Sequence, residues 1–243
     1  MKRIGLAVLT LAGLLLLPAA AHAAGPSISL GDGDGSISGR AIQLVLLLTV
    51  LSLAPGILMT VTSFTRIVVA LSLLRAGLGA QGVPPNPVIL SLALFLSFFV
   101  MAPTFDKAWK EGVQPYNAGQ ISEEEAFSKT AAPFRAFMLA HVRDDDVRLF
   151  VELSGKPVAN RADLALTTLV PAFMISELRR AFEIGFMLLL PFLVIDLAVS
   201  AVLMAMGMMM LPPTAISLPL KIIFFVLVDG WSLVAGSLIR SFG

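Results

Sequence analysis

Long apolar runs separated by short polar breaks account for most of this chain of 243 residues. A helix needs about 20 residues, at 1.5 Å each, to cross the hydrocarbon core of a bilayer, so these runs predict membrane-embedded helices. The first run is too long for one straight span, and it predicts either a helix kinked near Pro55 and Gly56 or two joined segments. The apolar runs cover residues 41–78, 88–102, 164–175, 184–211 and 216–239.

The ends of these runs divide the chain into five predicted regions. Lys2 and Arg3, an apolar stretch and the small-residue motif Ala21-His22-Ala23 predict a cleavable signal peptide, with a retained first membrane helix as the alternative. Arg66 and Arg75 precede a turn rich in Gly and Pro, and their charge predicts that this turn is cytoplasmic. The regions are the signal peptide (1–23), a flexible linker (24–40), a first helical hairpin (41–103), a polar periplasmic helical insertion (104–163) and a second helical hairpin with a Met-rich apex loop (164–243).

Composition strengthens the membrane interpretation and narrows the function. Hydrophobic residues make up 57% of the chain, charged residues only 14%, and the mean hydropathy is +0.91. An ordinary soluble domain has about 25% charged residues. The net charge of +1 offers no basic face for nucleic acid.

Candidate catalytic chemistry is sparse. The chain has no cysteine, which excludes thiol catalysis and thiolate metal sites, and its two histidines fit no hydrolase or metalloprotease motif. His141 precedes the acidic run 144–146, a pattern more typical of a solvated surface than of an active site. The sequence therefore predicts a protein that is not an enzyme and that needs no cofactor or bound metal.

Three charged residues lie inside the apolar runs of the second hairpin: Asp196, Lys221 and Asp229. An ionisable group at bilayer depth costs about 2.5–3.5 kcal/mol on insertion scales, so each should face protein or water. Two interpretations stay open, an ion relay and an assembly contact, and the pattern favours the assembly contact.

Helix geometry makes a prediction about these charges. Counted from Pro212, Asp196 lies 16 residues back, about 24 Å, whereas Lys221 lies nine residues on, about 13 Å. A straight hairpin would therefore hold them apart, so pairing with a neighbouring, axially displaced subunit is expected, with a break at Pro219 as the alternative. The same count predicts that Asp229 stands level with Asp196.

A second polar group, Glu177, Arg179, Arg180 and Glu183, interrupts the apolar run before it. Residues three apart share a helix face, so Glu177 with Arg180, or Arg180 with Glu183, can form an ion pair. An intersubunit polar seam and an interfacial helix explain this group equally well.

Methionines cluster at the end of the apolar run, at positions 204, 206, 208, 209 and 210, directly before tandem prolines. Because Pro212 and Pro213 cannot continue a helix, they predict a hairpin with the methionines at its apex, and Gly207 with the prolines predicts a hinged loop. Lipid-facing packing and a Cu(I) thioether site are the alternatives to a deformable seal. If several copies surround an axis, flexible Met206, Met208, Met209 and Met210 would form an apolar constriction that resists water and ions.

Two long stretches resemble signatures of the FliP family of flagellar biosynthetic proteins. The first is Pro171-Ala172-Phe173-Met174-Ile175-Ser176-Glu177-Leu178-Arg179-Arg180-Ala181-Phe182-Glu183-Ile184-Gly185-Phe186. The second runs from Pro191-Phe192-Leu193-Val194-Ile195-Asp196-Leu197 through Met206-Gly207-Met208 to the tandem prolines. The order and spacing agree, and the resemblance covers nearly the whole chain.

The resemblance implies an all-α membrane protein whose kinked helical hairpins assemble into a helical, cone-shaped oligomeric export gate. In that family several copies join FliQ and FliR, and the rest of the export apparatus, at the flagellar basal body of the bacterial inner membrane, with much of the cone on the periplasmic side. Unfolded flagellar proteins pass through this type III secretion pore. The family's methionine gasket corresponds to Met206, Met208, Met209 and Met210, and its buried acid and lysine to Asp196 and Lys221.

Two other functions remain to be distinguished from this one. A virulence-type secretion gate shares the fold, although the signal peptide favours the flagellar branch. A stand-alone multispan transporter or copper permease would work without partners.

Overall fold

The computed structural model describes residues 37–80, 82–155, 160–208 and 210–243. The predicted signal peptide and most of the predicted linker lie outside this part, as does Met209 of the methionine cluster. The described residues divide into two units, with the boundary between Val50 and Leu51. All regular elements among the described residues are helical, which confirms the all-α prediction for this part of the chain.

The α-helices follow one another with short connections. A π-helical turn over Trp109–Val113 joins α3 to α4, and a 3-10 turn over Arg161–Asp163 precedes α7. The helices are α1 (Ile37–Val61), α2 (Phe64–Leu78), α3 (Asn86–Ala108), α4 (Gln114–Asn117), α5 (Glu123–His141), α6 (Asp144–Ser154), α7 (Leu166–Ala205), α8 (Pro213–Leu227) and α9 (Gly230–Arg240).

The first apolar run forms two joined helices, and the joint differs from the expected position. Helix α1 passes through Pro55 and Gly56, and the chain leaves the helix only at Thr62 and Ser63. Side chains take part in the hydrogen bonding there: the Thr62 hydroxyl accepts from the Phe64 N–H at 3.3 Å, and the Ser63 hydroxyl bonds Ser97 of α3 at 2.9 Å. Hydroxyls that compete with backbone bonds favour a helix end.

Two helices run further than their sequence patterns predicted. Helix α3 continues through Pro103 to Ala108, so the start of the predicted polar insertion is the end of an apolar helix. Helix α7 is 40 residues long and contains the whole polar group 176–183 without interruption. The polar residues do not break it because, as described below, those that face inward have partners on other helices.

Helices α2 and α7 approach closely because glycine replaces a side chain on each. A Cβ atom at Gly185 would lie 2.3 Å from Leu73 Cδ1, and one at Gly77 would lie 2.3 Å from Leu189 Cδ2. Small residues at helix contacts allow such an approach, which is typical of helix packing in membranes. Leucine from the opposite helix fills the place of each missing side chain.

Two groups of buried apolar side chains hold the helices together. One joins α2, α3, α7, α8 and α9, and its centre is the inward face of α2. The other joins α5 to the first part of α7, with side chains of α6 against it. The first contains Ile67, Leu71, Leu74, Ala93, Phe192, Phe225 and Leu238; the second contains Met138, Val142, Leu164, Leu169 and Phe173.

In the part of the chain that the structure describes, two helical stretches are long and apolar enough to cross a membrane: Asn86–Asn117 and Leu166–Ala205. Helices α8 and α9 together make a third if they count as one span bent by 66°. Asp229 lies at this bend in the left-handed conformation, with φ 50° and ψ 53°. Gly230 follows it, where a Cβ atom would lie 2.3 Å from the Phe225 ring.

Candidate functional site

The most completely buried charges belong to Arg66 of α2 and Glu177 of α7, and both side chains have no exposed surface. Arg66 donates from Nε to Glu177 Oε2 at 2.7 Å and from Nη2 to Oε1 at 2.5 Å. This is the two-pronged geometry in which arginine binds carboxylate most strongly. Glu177 is therefore an internal contact of one chain, which corrects its expected place in an intersubunit seam and its expected pairing with Arg180.

The remaining donor group of Arg66 binds the C-terminal segment that follows α9. Nη1 donates to the Ser241 carbonyl at 2.7 Å and to its hydroxyl at 3.0 Å, and the guanidinium lies 3.6 Å from the centre of the Phe242 ring. His141 of α5 contacts the same segment, with Nε2 3.2 Å from the Phe242 carbonyl oxygen. One buried arginine thus joins α2, α7 and the end of the chain.

Sequence reasoning missed Arg66, because it treated this residue as a marker of a cytoplasmic turn. The signal was present: Arg66 is a charge inside an apolar run, as Asp196 is. Such a residue normally faces protein or water and has a partner. Its partner lies 111 positions away in the sequence. A contact between such distant positions leaves no periodic pattern from which it could be predicted.

The other members of the polar group lie nearer the surface of α7. Two of them form ion pairs with residues at the start of α6. Arg179 lies 3.8 Å from Asp146, and Glu183 lies 3.5 Å from Arg143. Arg180 has no ion pair among the described residues and lines a cavity of about 310 Å³ with Arg143 and Glu183. An intersubunit role for Arg179, Arg180 and Glu183 remains a prediction.

Asp196 and Lys221 form an ion pair within one chain, with 2.6 Å between Oδ2 and Nζ. Lys221 is buried, Asp196 is partly exposed, and Nζ also donates to the Gly77 carbonyl at 3.0 Å. This carbonyl belongs to the last turn of α2, where unpaired carbonyls favour a positive charge. The lysine therefore holds α2, α7 and α8 together.

The intrachain pair corrects the expectation that Asp196 and Lys221 meet only across subunits. The error lies in counting residues 206–211 as helix, although α7 ends at Ala205 and α8 begins at Pro213. Asp196 lies nine residues before one helix end and Lys221 eight residues after the other, which is about 13 Å and 12 Å from the apex. The two side chains are at the same height, and no break at Pro219 is needed.

Asp229 is not equivalent to this pair. It is exposed in the single chain and has no ion pair among the described residues, so its burial in an assembly remains a prediction. Asp229 follows the end of α8, 16 residues after Pro213 and about 24 Å from the apex, so it is not level with Asp196, which lies about 13 Å from the apex.

The methionine loop begins with a tightly capped helix end. Gly207 has φ 73°, its N–H donates to the Met204 carbonyl at 3.1 Å, and the Met208 N–H donates to the Leu203 carbonyl at 3.0 Å. These two bonds around a left-handed glycine are the Schellman motif that ends many helices. At the other side, Pro212 and Pro213 occupy the cap and first position of α8, where a missing N–H has no cost.

The loop between these two caps presents its apolar side chains outward. Met206, Met208, Met210 and Leu211 are exposed in the single chain, Met210 almost completely, and the nearby Met204 on the last turn of α7 is exposed too. Among the described residues no three His, Asp or Glu side chains come together in a way that would hold a metal ion. The arrangement is an apolar, pliable tip above an ion pair.

The Asp196–Lys221 pair gives a test of the two roles considered for Asp196. We expect Asp196→Ala to destabilise the fold by about 1–3 kcal/mol, because Lys221 loses a charged hydrogen-bond partner. Asp196→Asn keeps an acceptor for Lys221 but cannot exchange a proton, so an anchoring role predicts that it retains most of the function. Thermal unfolding of both variants in detergent, with motility of cells that carry them, separates the roles. A stable but inactive Asp196→Asn variant would show that Asp196 is a relay.

Comparison with known proteins agrees with the resemblance seen in the sequence. A family model described as the FliP family matches residues 47–238 of this chain. The chain is 54% identical over 240 residues to the flagellar biosynthetic protein FliP of Agrobacterium fabrum, covering 97% of this chain and 98% of the relative. It is 56% identical over 239 residues to FliP of Caulobacter vibrioides (98% and 90%) and 54% identical over 203 residues to FliP of Bacillus subtilis (83% and 91%).

Proposed function

Because the chain belongs to the FliP family, we propose that it is the core, pore-forming subunit of the flagellar type III secretion export gate. In this role it passes unfolded flagellar proteins across the bacterial inner membrane at the flagellar basal body. It acts without catalysis, cofactor or bound metal. Several copies assemble with FliQ and FliR into a helical cone, of which much stands on the periplasmic side.

The observation that carries the proposal is the exposed methionine loop held between two fixed helix ends. An exposed apolar tip is unfavourable in water, so it needs a partner in the assembly. Copies of the loop around an axis supply that partner for one another, and the resulting ring is narrow and apolar. Such a ring excludes ions by dewetting, and the flexible thioether side chains let it deform around a passing polypeptide.

The ion pairs below the loop supply the rigidity that a seal needs. Lys221 fixes α8 to α7 and to the end of α2, while Arg66 fixes α2 to α7 at the opposite end of α2. Helices α2 and α7 are also in close contact at Gly77 and Gly185. The moving part of the subunit is therefore confined to the loop between its two fixed helix ends.

Co-expression with FliQ and FliR of the same bacterium tests the proposal. We expect detergent extraction to yield one large complex that contains several copies of this chain, as measured by native mass spectrometry. We also expect the chain to restore secretion of hook and filament proteins in a strain that lacks its own copy. Met187→Ala changes an exposed methionine in the middle of α7. It is the matched control for substitutions in the methionine loop, and it should assemble and restore secretion as the unchanged chain does.

A stand-alone multispan transporter would behave differently in the same experiment. It would extract as a monomer or dimer, leave secretion unrestored, and carry a solute such as copper into liposomes without partner proteins. That combination of results would replace the export-gate proposal. Large complexes that secrete virulence proteins but no flagellar proteins would instead assign the chain to the virulence branch.

A further inference from the structure

The methionines of the apex loop are far more exposed than those in the protein core. The chain has no cysteine, so methionine is its only sulfur that an oxidant can reach. Met210 is 99% exposed, Met206 66% and Met208 40%, whereas Met138 is 2% exposed and Met101 is fully buried. Oxidation of methionine by a dissolved oxidant requires access to the sulfur.

We propose that the apex methionines are an oxidation site, at which a hypohalous acid converts the apolar tip into a polar one and opens the closed pore to ions. This inference rests on the proposed role of the loop as a seal. The sulfur lone pair takes the oxygen of hypochlorous acid, the O–Cl bond breaks, and chloride and a proton leave. Sulfur is oxidised by two electrons and chlorine is reduced by two, so the step needs no further reactant.

Because of the local structure, oxidation should change the polarity of the loop surface strongly and disturb the fold little. Gly207 and the two prolines fix the loop ends through backbone geometry, and the backbone bonds of the helix cap do not involve sulfur. The exposed sulfurs of Met206 and Met210 can therefore gain an oxygen without displacing core side chains. A sulfoxide is a strong hydrogen-bond acceptor, so a ring of sulfoxides holds water where a ring of thioethers excludes it.

Exposure in the single chain is not enough to define the oxidation site. Met187 shows this, because it is as exposed as Met206 of the apex but lies elsewhere. Met187 is 69% exposed but lies in the middle of the apolar stretch Leu166–Ala205, far from the loop. A small polar oxidant partitions poorly into hydrocarbon, so its concentration is higher at the water-filled pore entrance than along an apolar span. The apex should therefore react before Met187, although Met206 and Met187 are equally exposed in one chain.

The test uses the complete complex with FliQ and FliR in liposomes, treated with hypochlorous acid. Peptide mass spectrometry is expected to find one added oxygen per sulfur at 206, 208 and 210, and little at Met138 or Met187. Ion leakage is expected to rise several-fold and to return to its starting value after treatment with methionine sulfoxide reductases of both stereochemical types, which reverse this oxidation. Equal oxidation of Met138 and the apex would overturn the proposal.

Two variants separate this proposal from the seal itself. Replacing Met206, Met208, Met209 and Met210 with leucine keeps the tip apolar and removes its sulfur, so oxidant should leave leakage unchanged in complexes whose native mass is normal. A second variant, with alanine at positions 208, 209 and 210, tests by its ion leakage whether the methionines seal the pore in the absence of oxidant. If the alanine variant leaks but oxidised complexes do not, the oxidation site is rejected and the seal stands. If neither leaks, the seal is rejected as well.

Discussion

Replacing Glu177 with alanine is expected to destabilise the folded chain by about 3–5 kcal/mol, because it leaves the Arg66 guanidinium buried without its counter-charge. For a chain of this length, that loss corresponds to a fall in Tm of about 6–20 °C. The C-terminal segment should loosen at the same time, since Arg66 also binds Ser241 and lies against Phe242. Thermal unfolding in detergent measures the first effect, and carboxypeptidase sensitivity measures the second.

A matched change on the same helix provides the control. Glu183 is exposed and lies 3.5 Å from Arg143, so Glu183→Ala should cost no more than about 1 kcal/mol. The double change Arg66→Met with Glu177→Leu removes both charges and should recover much of the stability lost by Glu177→Ala, because apolar side chains of similar volume often replace buried pairs without penalty. If the single and double variants were equally unstable, shape rather than charge would dominate this junction.

Replacing Met208, Met209 and Met210 with alanine is expected to leave the complex assembled but permeable to small ions. Alanine lacks the long, flexible side chain that fills an irregular apolar ring, so the constriction becomes wide enough to stay wet. Met208 and Met210 are exposed loop residues whose side chains contribute nothing to the buried cores, so the fold should not change.

Membrane vesicles that contain the complex, loaded with an ion-sensitive dye, measure this permeability. Native mass establishes that subunit number is unchanged, and Met187→Ala shows the effect of removing a methionine elsewhere on α7. Tight vesicles with the triple alanine variant would rule out a sealing role for the methionines.

The apex is the part of the candidate site that sequence reasoning located best. Tandem prolines cannot continue a helix, so Pro212 and Pro213 were sufficient to predict the corner of the hairpin, although the helix begins at Pro213 rather than at the predicted start of the apolar run, residue 216. The end of α7 was misjudged because the signal at Gly207 was treated as a hinge rather than as a cap. Counting each residue from the end of its own helix, nine positions from Ala205 and eight from Pro213, places Asp196 and Lys221 level, whereas counting both from Pro212 separates them.

The charged contacts were less accessible to sequence reasoning, since their partners come from distant positions. Spacing on one helix suggested that Glu177 pairs with Arg180, but the backbone instead brings Glu177 to Arg66 of α2. Local spacing describes which residues share a helix face, and it contains no information about which helix that face meets. The close approach of α2 and α7 at Gly77 and Gly185 determines this pairing, and it emerges only in three dimensions.

The two helix caps on either side of the methionine loop make residues 206–212 a segment, here called the loop cassette, that can be exchanged without changing the helices around it. Gly207 and Pro213 fix the backbone at its two ends, and the Lys221 contact holds the supporting helices whatever the loop contains. Loop length is therefore restricted, whereas its side chains are free to vary between apolar types. Exchanging this cassette between relatives offers a way to change how tightly a pore closes while the frame that carries it stays the same.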